Sequence, residues 1–222
     1  MISLIADPSI TYPGREDHFS PDERFPEYRY GHFSGAENPV YRAVRNCFAQ
    51  AGLDREHFNT SSWNPLRMLV PSGSRVFVLC NFVLHRQPNE TARGFAAKCT
   101  HGSVLRALVD YLLLAVGQDG RVVFGNAAMQ NCDWESVLQD TGAKSVLEFY
   151  RSVDAPVEAK DLRLFVVERS RTGWICSVER RQKRDEVPVD LGQDSLMVEL
   201  DRQPTTPYRV MNYNPLPLEA YH

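Results

Sequence analysis

The sequence has no closely spaced cysteine pairs, and this excludes the commonest sites that cysteines build. Its five cysteines, at positions 47, 80, 99, 132 and 176, are odd in number and far apart. Because no CxxC pair occurs, zinc ribbons, iron–sulfur centres and disulfide frameworks are not indicated. HExxH, HxxE and glycine-rich phosphate-loop motifs are also absent. We therefore expect no metal site, predict no cofactor from this chain and expect a reducing, cytoplasmic location.

The chain also lacks a long apolar run and a large excess of either charge. The longest apolar stretch, 104–116, contains Arg106 and Asp110 and is too short to span a bilayer. The N-terminus has no basic region and reaches Asp7 and Pro8 after six residues, unlike a signal peptide. A net charge of -3 gives no general attraction to nucleic acid or anionic membranes. We expect no membrane segment and do not favour nucleic acid as a partner, and the oligomeric state stays open.

What is present is the composition of an ordinary globular protein. The chain has 222 residues, of which 43% are hydrophobic and 10% aromatic, and this suffices for a sizeable core. We predict a single α/β domain over 1–222. It would comprise an N-terminal edge strand with an ordered aromatic wrap (1–35), an α/β core (36–155) and a β-rich part with a Pro- and Tyr-rich tail (156–222).

Hydrophobic periodicity predicts a mixed sheet built around a parallel βαβ unit. The near-continuous apolar stretch at 75–80 predicts a strand buried on both faces. The polar stretch 86–98 predicts a loop, and a helix follows over 100–116, with Gly117 as its stop. A strand at 121–125 completes the unit, and the two strands are expected to be parallel.

Capping residues and β patterns predict the remaining elements, so that helices flank the sheet and an antiparallel hairpin is appended. They are a helix begun by Asn38 and Pro39 and ended by Gly52, a short helix capped by Asp133, a helix with the capping box of Ser145 and Glu148, a hairpin of 162–168 and 174–180, and a strand at 196–200.

Polar side chains follow both strands of the predicted unit, where open α/β sheets bind ligands. They are Asn81 and His85 after the first strand, Asn126, Gln130 and Asp133 after the second, and Thr100 and His101 at the start of the intervening helix. Free N–H groups at a helix start favour an anion. We expect these residues to share one mouth that binds a small phosphorylated or carboxylate ligand, with His101 as the candidate catalytic residue that carries a proton.

Each of these residues also has a structural interpretation. Thr100 and Asp133 are good N-caps, and Asn81 and Asn126 can hold turns through their side chains. His101 can be a solvated first-turn residue. For His85 we favour a structural role.

Two further features have alternatives of their own. Cys80 could act as a nucleophile only with His85 or His101 close in space, and we favour an inert buried thiol. A basic ribbon around the hairpin could bind a polyanion, although a solvated β-ribbon is the favoured interpretation. Its members are Arg169, Arg171, Arg180, Arg181, Lys183 and Arg184, with Trp174 among them.

An ordered series of short motifs over nearly the whole chain resembles a bacterial family, domain-of-unknown-function family 362. The series comprises SLIADP (3–8), PDERFPEY (21–28), NPVY (38–41), WNPL (63–66), VFVLCNFVLH (76–85), THGS (100–103), GNAAMQ (125–130), DLR (161–163), VDLG (189–192) and YRVMNY (208–213). The resemblance implies a setting in surface-polysaccharide metabolism. Some members carry ferredoxin-like modules, for which this chain has no cysteine pattern.

The chain departs from the family pattern at charged positions. Leu79 and Cys80 stand where the family has Lys-Pro, and Asn126 stands where it has Asp. The chain also stops at His222, before a basic, histidine-containing segment of the family, which is expected of a fragment or degenerate copy. Two hypotheses follow: a ligand-binding protein or enzyme of cell-envelope glycan metabolism, and a non-catalytic accessory protein in the same setting.

Overall fold

The computed structural model describes residues 2–163, 165–170, 172, 174–180 and 194. By its internal contacts the chain divides into two compact units, Met1–Arg181 and Gln182–His222. The fold and the site described below belong to the first unit. The predicted strand at 196–200 lies outside the described residues, and one domain over the whole chain remains a prediction.

Helices and strands alternate in the first unit, as the α/β class requires. They are α1 (Pro39–Gln50), β1 (Arg75–Leu79), α2 (Ala92–Lys98), α3 (Gly102–Val116), β2 (Arg121–Asn126), α4 (Trp134–Thr141), α5 (Ala143–Ser152), β3 (Val157–Asp161), β4 (Phe165–Arg169) and β5 (Ile175–Arg180). The strands β1, β2 and β3 form a parallel sheet in that order, and β4 and β5 form a separate antiparallel hairpin. The predicted α/β class, with its parallel βαβ core and appended hairpin, is confirmed.

The helix α3 lies at the centre of the core because its sequence is apolar almost all round. Leu105, Val109, Leu112 and Val116 are buried, as the periodicity predicts. The helix ends at Gly117, whose φ of 70° suits glycine. This placement fixes the amino end of α3 beside the candidate site.

The predicted N-terminal edge strand is wrong. The segment 2–8 forms no strand, and Ile2 and Leu4 are 96% and 78% exposed. Ile5 of this segment and the nearby Ile10 instead line a groove with Val44 of α1.

The expectation that the first strand is buried on both faces is also wrong. The strand β1 lies at the edge of the sheet, and its side chains alternate between exposed and half-buried. Phe77 and Leu79 are 45% and 72% exposed. A continuous apolar run fits a doubly buried strand, but neighbouring elements decide whether both faces are covered.

Three boundary predictions are wrong, two of them because side chains cap helices at unexpected positions. The predicted loop 86–98 contains α2, which Thr91 caps by accepting a hydrogen bond from the Gly94 N–H. His101, not Thr100, caps α3. The helix α5 begins directly after Gly142, so the predicted capping box of Ser145 and Glu148 lies inside the helix.

The aromatic wrap over 11–35 is ordered on the core, as predicted. Two buried arginines hold it. Arg45 pairs with Glu27 of the wrap at 2.7 Å, and Arg106 of α3 donates a hydrogen bond to the His18 carbonyl at 3.0 Å. Because both guanidiniums are withdrawn from solvent, the wrap is fixed by charge as well as by aromatic packing.

Candidate functional site

A cavity of about 210 Å³ opens beside the amino end of α3. It is walled by the wrap, by the loop before α2 and by the ends of α2 and α4, and its lining includes Tyr12, Arg15, Arg86, Phe95, Thr100 and His101. Two cationic side chains therefore border a cavity that also has an aromatic and aliphatic wall.

Asp140 ties both arginine-bearing segments to the end of α4. The Arg15 guanidinium donates to the Asp140 carbonyl at 3.0 Å, and the Arg86 backbone N–H donates to the Asp140 carboxylate at 2.8 Å. The Arg86 guanidinium donates to the Glu90 carbonyl at 3.2 and 3.3 Å. Within the part of the chain that the structure describes, neither guanidinium has a carboxylate within ion-pair distance. Asp140 itself lines the cavity, so among the described residues two arginines face one aspartate there, and the charged lining is net positive.

A left-handed turn, Glu16–Phe19, brings Arg15 to the cavity. Its residues Asp17, His18 and Phe19 have φ values of 52°, 54° and 59°. For residues other than glycine, this conformation costs about 1–2 kcal/mol each. Side-chain contacts offset the cost, since the His18 ring lies 2.9 Å from the Ser145 hydroxyl and the Phe19 side chain is fully buried.

Two glycines make room for the Phe19 ring under the cavity. A Cβ atom on Gly102 or on Gly142 would lie 2.6 Å from this ring. Only glycine at both positions allows the turn to seat against the first turn of α3. The same contact holds the wrap next to His101, whose ring lies 5.4 Å from the Phe19 ring.

The His101 ring acts as the N-cap of α3. Its Nδ1 accepts a hydrogen bond from the Ser103 N–H at 3.2 Å and lies 2.8 Å from the Ser103 hydroxyl. Burial and the nearby Arg15 charge lower the pKa of His101 to about 4. The imidazole is therefore neutral at pH 7, and because Nδ1 accepts, the proton lies on Nε2. His101 presents an N–H donor at neutral pH, not a free base.

The structure brings the other predicted site residues together only in pairs. Asn81 and Thr100 exchange hydrogen bonds, since the Asn81 N–H donates to the Thr100 hydroxyl and the Thr100 N–H donates to the Asn81 carbonyl, both at 2.9 Å. The Asp133 N–H donates to His85 Nδ1 at 3.0 Å. Of the seven predicted residues, only Thr100 and His101 line the cavity.

Two of the remaining predicted residues, Asp133 and Asn126, have local structural roles. Asp133 caps α4 by accepting from the Ser136 N–H at 2.6 Å, which confirms its structural interpretation. Asn126 ends β2, and its carbonyl accepts from the Leu162 N–H at 3.0 Å. Gln130 is exposed in the turn before α4. The residues predicted after both strands, Asn81 and His85 as well as Asn126, Gln130 and Asp133, therefore do not share the cavity with Thr100 and His101.

The thiol of Cys80 is buried, and burial raises its pKa to about 12. A thiol with this pKa stays protonated at pH 7 and is a weak nucleophile. This supports the inert interpretation. Most of the basic ribbon lies outside the described residues, including Arg171, Arg181 and the side chains of Arg169 and Arg180.

Sequence reasoning missed both arginines of the cavity. Arg86 directly follows His85 at the exit of the first strand, so its position was a usable signal. Arg15 carried no periodic or motif signal, because a left-handed turn and a contact with the distant Asp140 bring it to the cavity.

A second polar cluster lies in the irregular segment after α1. Asp54 contacts the His57 ring at 2.7 Å and the Arg67 guanidinium at 2.8 Å, and it accepts from the Asn64 N–H at 2.8 Å. These contacts all join parts of one loop, and we assign them to holding its shape. No group of three His, Cys, Asp or Glu side chains suited to a metal ion occurs among the described residues.

Comparisons of the chain with family models, with curated proteins and with solved structures find no match. In the described ranges, no helix is long and apolar enough to cross a bilayer.

Proposed function

We propose that this protein binds a small anion, a phosphate monoester or a carboxylate, in the cavity at the amino end of α3. The observation that supports this proposal is that Arg15 and Arg86 line the cavity against one acidic residue, Asp140, and that neither guanidinium has an ion-pair partner among the described residues. Guanidinium groups bind phosphate and carboxylate in a bidentate manner. The dipole of α3, a 15-residue helix, adds to the positive potential.

The volume favours a compact ligand. Cavities that bind drug-sized molecules measure about 300–1,000 Å³, and this one is about 210 Å³. A phosphorylated sugar or a small carboxylic acid matches this size and charge. The resemblance to domain-of-unknown-function family 362 supports a phosphorylated sugar of surface-polysaccharide metabolism as the ligand class.

His101 would serve this ligand as a hydrogen-bond donor. With Nδ1 occupied by Ser103 and the pKa lowered to about 4, the neutral ring can donate from Nε2 to an oxygen that is or becomes negative. This differs from the proton-carrying role predicted from the sequence. In an enzyme, such a donor would polarise a carbonyl or stabilise an oxyanion.

Calorimetric titration with inorganic phosphate, ethyl phosphate and succinate tests the proposal. Each hydrogen bond to a charged group contributes about 1.5–3 kcal/mol, so Arg86→Ala should weaken binding about ten- to a hundredfold. Arg93→Ala is the matched control, because Arg93 lies on α2, is exposed and does not line the cavity. Absence of binding by the unmodified protein, or equal loss in both variants, would contradict the proposal.

The second candidate function is that of a non-catalytic accessory protein. It is favoured by Leu79 and Asn126, neutral residues at positions where the resembling family carries Lys and Asp. Neither residue lines the cavity. If this function is correct, the Leu79→Lys and Asn126→Asp double variant gains no turnover of phosphorylated sugars. Turnover by that variant would argue against it.

A further inference from the structure

A second, larger and mostly apolar cavity of about 420 Å³ lies between the N-terminal segment and α1. Its apolar walls include Ile5 and Ile10 from the segment, Val40, Val44 and Cys47 from α1, and Val104 from α3. This volume falls within the range of about 300–1,000 Å³ that small-molecule sites occupy. We call it the apolar groove, and the cavity with the two arginines the anion cavity.

Tyr12 is a shared wall of the two cavities, since its side chain lines both. Its ring stacks on His101 of the anion cavity at 4.2 Å between ring centroids. Val104 of the apolar groove lies three residues after His101, one turn further along α3. The two cavities are therefore neighbours that adjoin at Tyr12.

The charges that line the two cavities favour one orientation of a bound anion. Among the described residues, Arg15, Arg86 and Asp140 line the anion cavity and make its charged lining net positive, whereas the only charged residue lining the apolar groove is Asp7. The Asp7 carboxylate accepts from the Ser9 N–H and hydroxyl at 2.9 and 2.6 Å, and these bonds lower its pKa. A negative charge in the groove repels an anionic group there and favours its binding beside the arginines.

We propose that the ligand is a single-chain amphiphilic anion, with its phosphate or carboxylate head in the anion cavity and its alkyl chain in the apolar groove. This inference rests on the proposed function and adds the nature of the attached chain. The groove's apolar lining removes the chain from water, and the arginines bind the head. A purely polar ligand would leave the groove unused.

Calorimetric titrations with ethyl phosphate, n-octyl phosphate and n-octanol, all below the concentration at which micelles form, test the inference. Because each buried methylene strengthens binding, octyl phosphate should bind at least about tenfold more tightly than ethyl phosphate. Ala43→Trp fills the groove, which Ala43 lines, and should abolish this gain without changing the affinity for ethyl phosphate. Ala36→Trp is the matched control, because Ala36 is exposed and does not line the groove.

Cys47 gives a second readout at the groove itself. Octyl phosphate should slow alkylation of Cys47 in a Cys176→Ser background, which removes the exposed thiol. Ethyl phosphate should leave that rate unchanged. Protection is expected to fail in Ala43→Trp but not in Ala36→Trp.

The outcomes separate the inference from the proposed function. If ethyl phosphate binds and octyl phosphate binds no better, the inference is overturned and the anion site stands. If octyl phosphate and octanol bind equally and ethyl phosphate does not bind, the apolar groove binds alkyl chains without any contribution from the arginines. This result overturns both the inference and the proposed function. Vesicles of phosphatidylcholine with phosphatidic acid distinguish a membrane source of the same chemistry. Binding to these vesicles without binding of free octyl phosphate also overturns the inference.

Discussion

Replacing Arg106 by methionine should remove the strongest link between the core and the candidate site. The Arg106 side chain is fully buried and lies 3.1 Å from the Asp110 carboxylate. Its guanidinium also lies 3.5 Å from the centre of the Phe149 ring and donates to the His18 carbonyl at 3.0 Å. The last contact holds the left-handed turn that carries Arg15.

The expected loss in the free energy of unfolding follows from the Asp110 charge that Arg106→Met leaves without its partner. Asp110 accepts hydrogen bonds from Tyr41 and Tyr150 at 2.9 and 2.8 Å, and Arg106 supplies its positive partner. Removing one member of a buried ion pair costs about 3–5 kcal/mol. Because whole domains have free energies of unfolding of about 5–15 kcal/mol, Arg106→Met should come close to unfolding the protein.

The stability that Arg106→Met removes should depend on pH. Burial already raises the pKa of Asp110, and loss of the guanidinium raises it further. The folded variant then holds a proton that the unfolded chain releases above about pH 4, so its stability falls as the pH rises. The difference in the free energy of unfolding between the unmodified protein and Arg106→Met should be larger at pH 8 than at pH 5.

Urea unfolding followed by circular dichroism measures these differences. Adding Asp110→Asn to Arg106→Met removes the unpaired charge and should recover at least about 1 kcal/mol. Arg93→Met, at an exposed position on α2, should change stability by less than about 0.5 kcal/mol. A cost of Arg106→Met below about 1 kcal/mol, or a double variant no more stable than the single one, would show that Asp110 does not depend on Arg106 for its charge balance.

Three further predictions concern the site and the core. Gly102→Ala should destabilise the protein by about 1–3 kcal/mol in urea unfolding, because the new Cβ would lie 2.6 Å from the Phe19 ring; no change would contradict this close packing. The His101 ring should stay neutral down to about pH 5 by NMR, since its pKa is about 4. As its unfolded pKa is about 6.5, stability should fall as the pH drops from 6.5 to 4, and His101→Asn should flatten that fall. Cys176 is exposed and should react quickly with Ellman's reagent, whereas Cys80, with a pKa of about 12, should react only after unfolding.

Local chemistry made part of the fold predictable. Asn38 and Pro39 specify the start of α1 because the amide side chain caps the Tyr41 N–H at 3.1 Å and proline suits the first helical position. The apolar periodicity of α3 and the glycine at 117 likewise identify that helix and its end. In these cases the determining residues lie within one turn of the feature they determine.

Features that depend on distant residues were not predictable in the same way. The exposure of Phe77 follows from the position of β1 at the sheet edge, which its own sequence does not encode. Thr100 is a better cap by residue type, yet it bonds Asn81 across the crossover and leaves the cap to His101. Arg15 reaches the site through a turn that the buried Arg106 helps to hold and for which two distant glycines make room.

The most direct test of the anion site is NMR of the histidine side chains during titration with ethyl phosphate. We expect the His101 Nε2 resonance to shift with saturation, because His101 lines the anion cavity beside Arg15 and Arg86. The resonances of His57 and His85, which do not line it, should stay unchanged. A titration that moves His57 or His85 and leaves His101 unchanged would contradict the central claim.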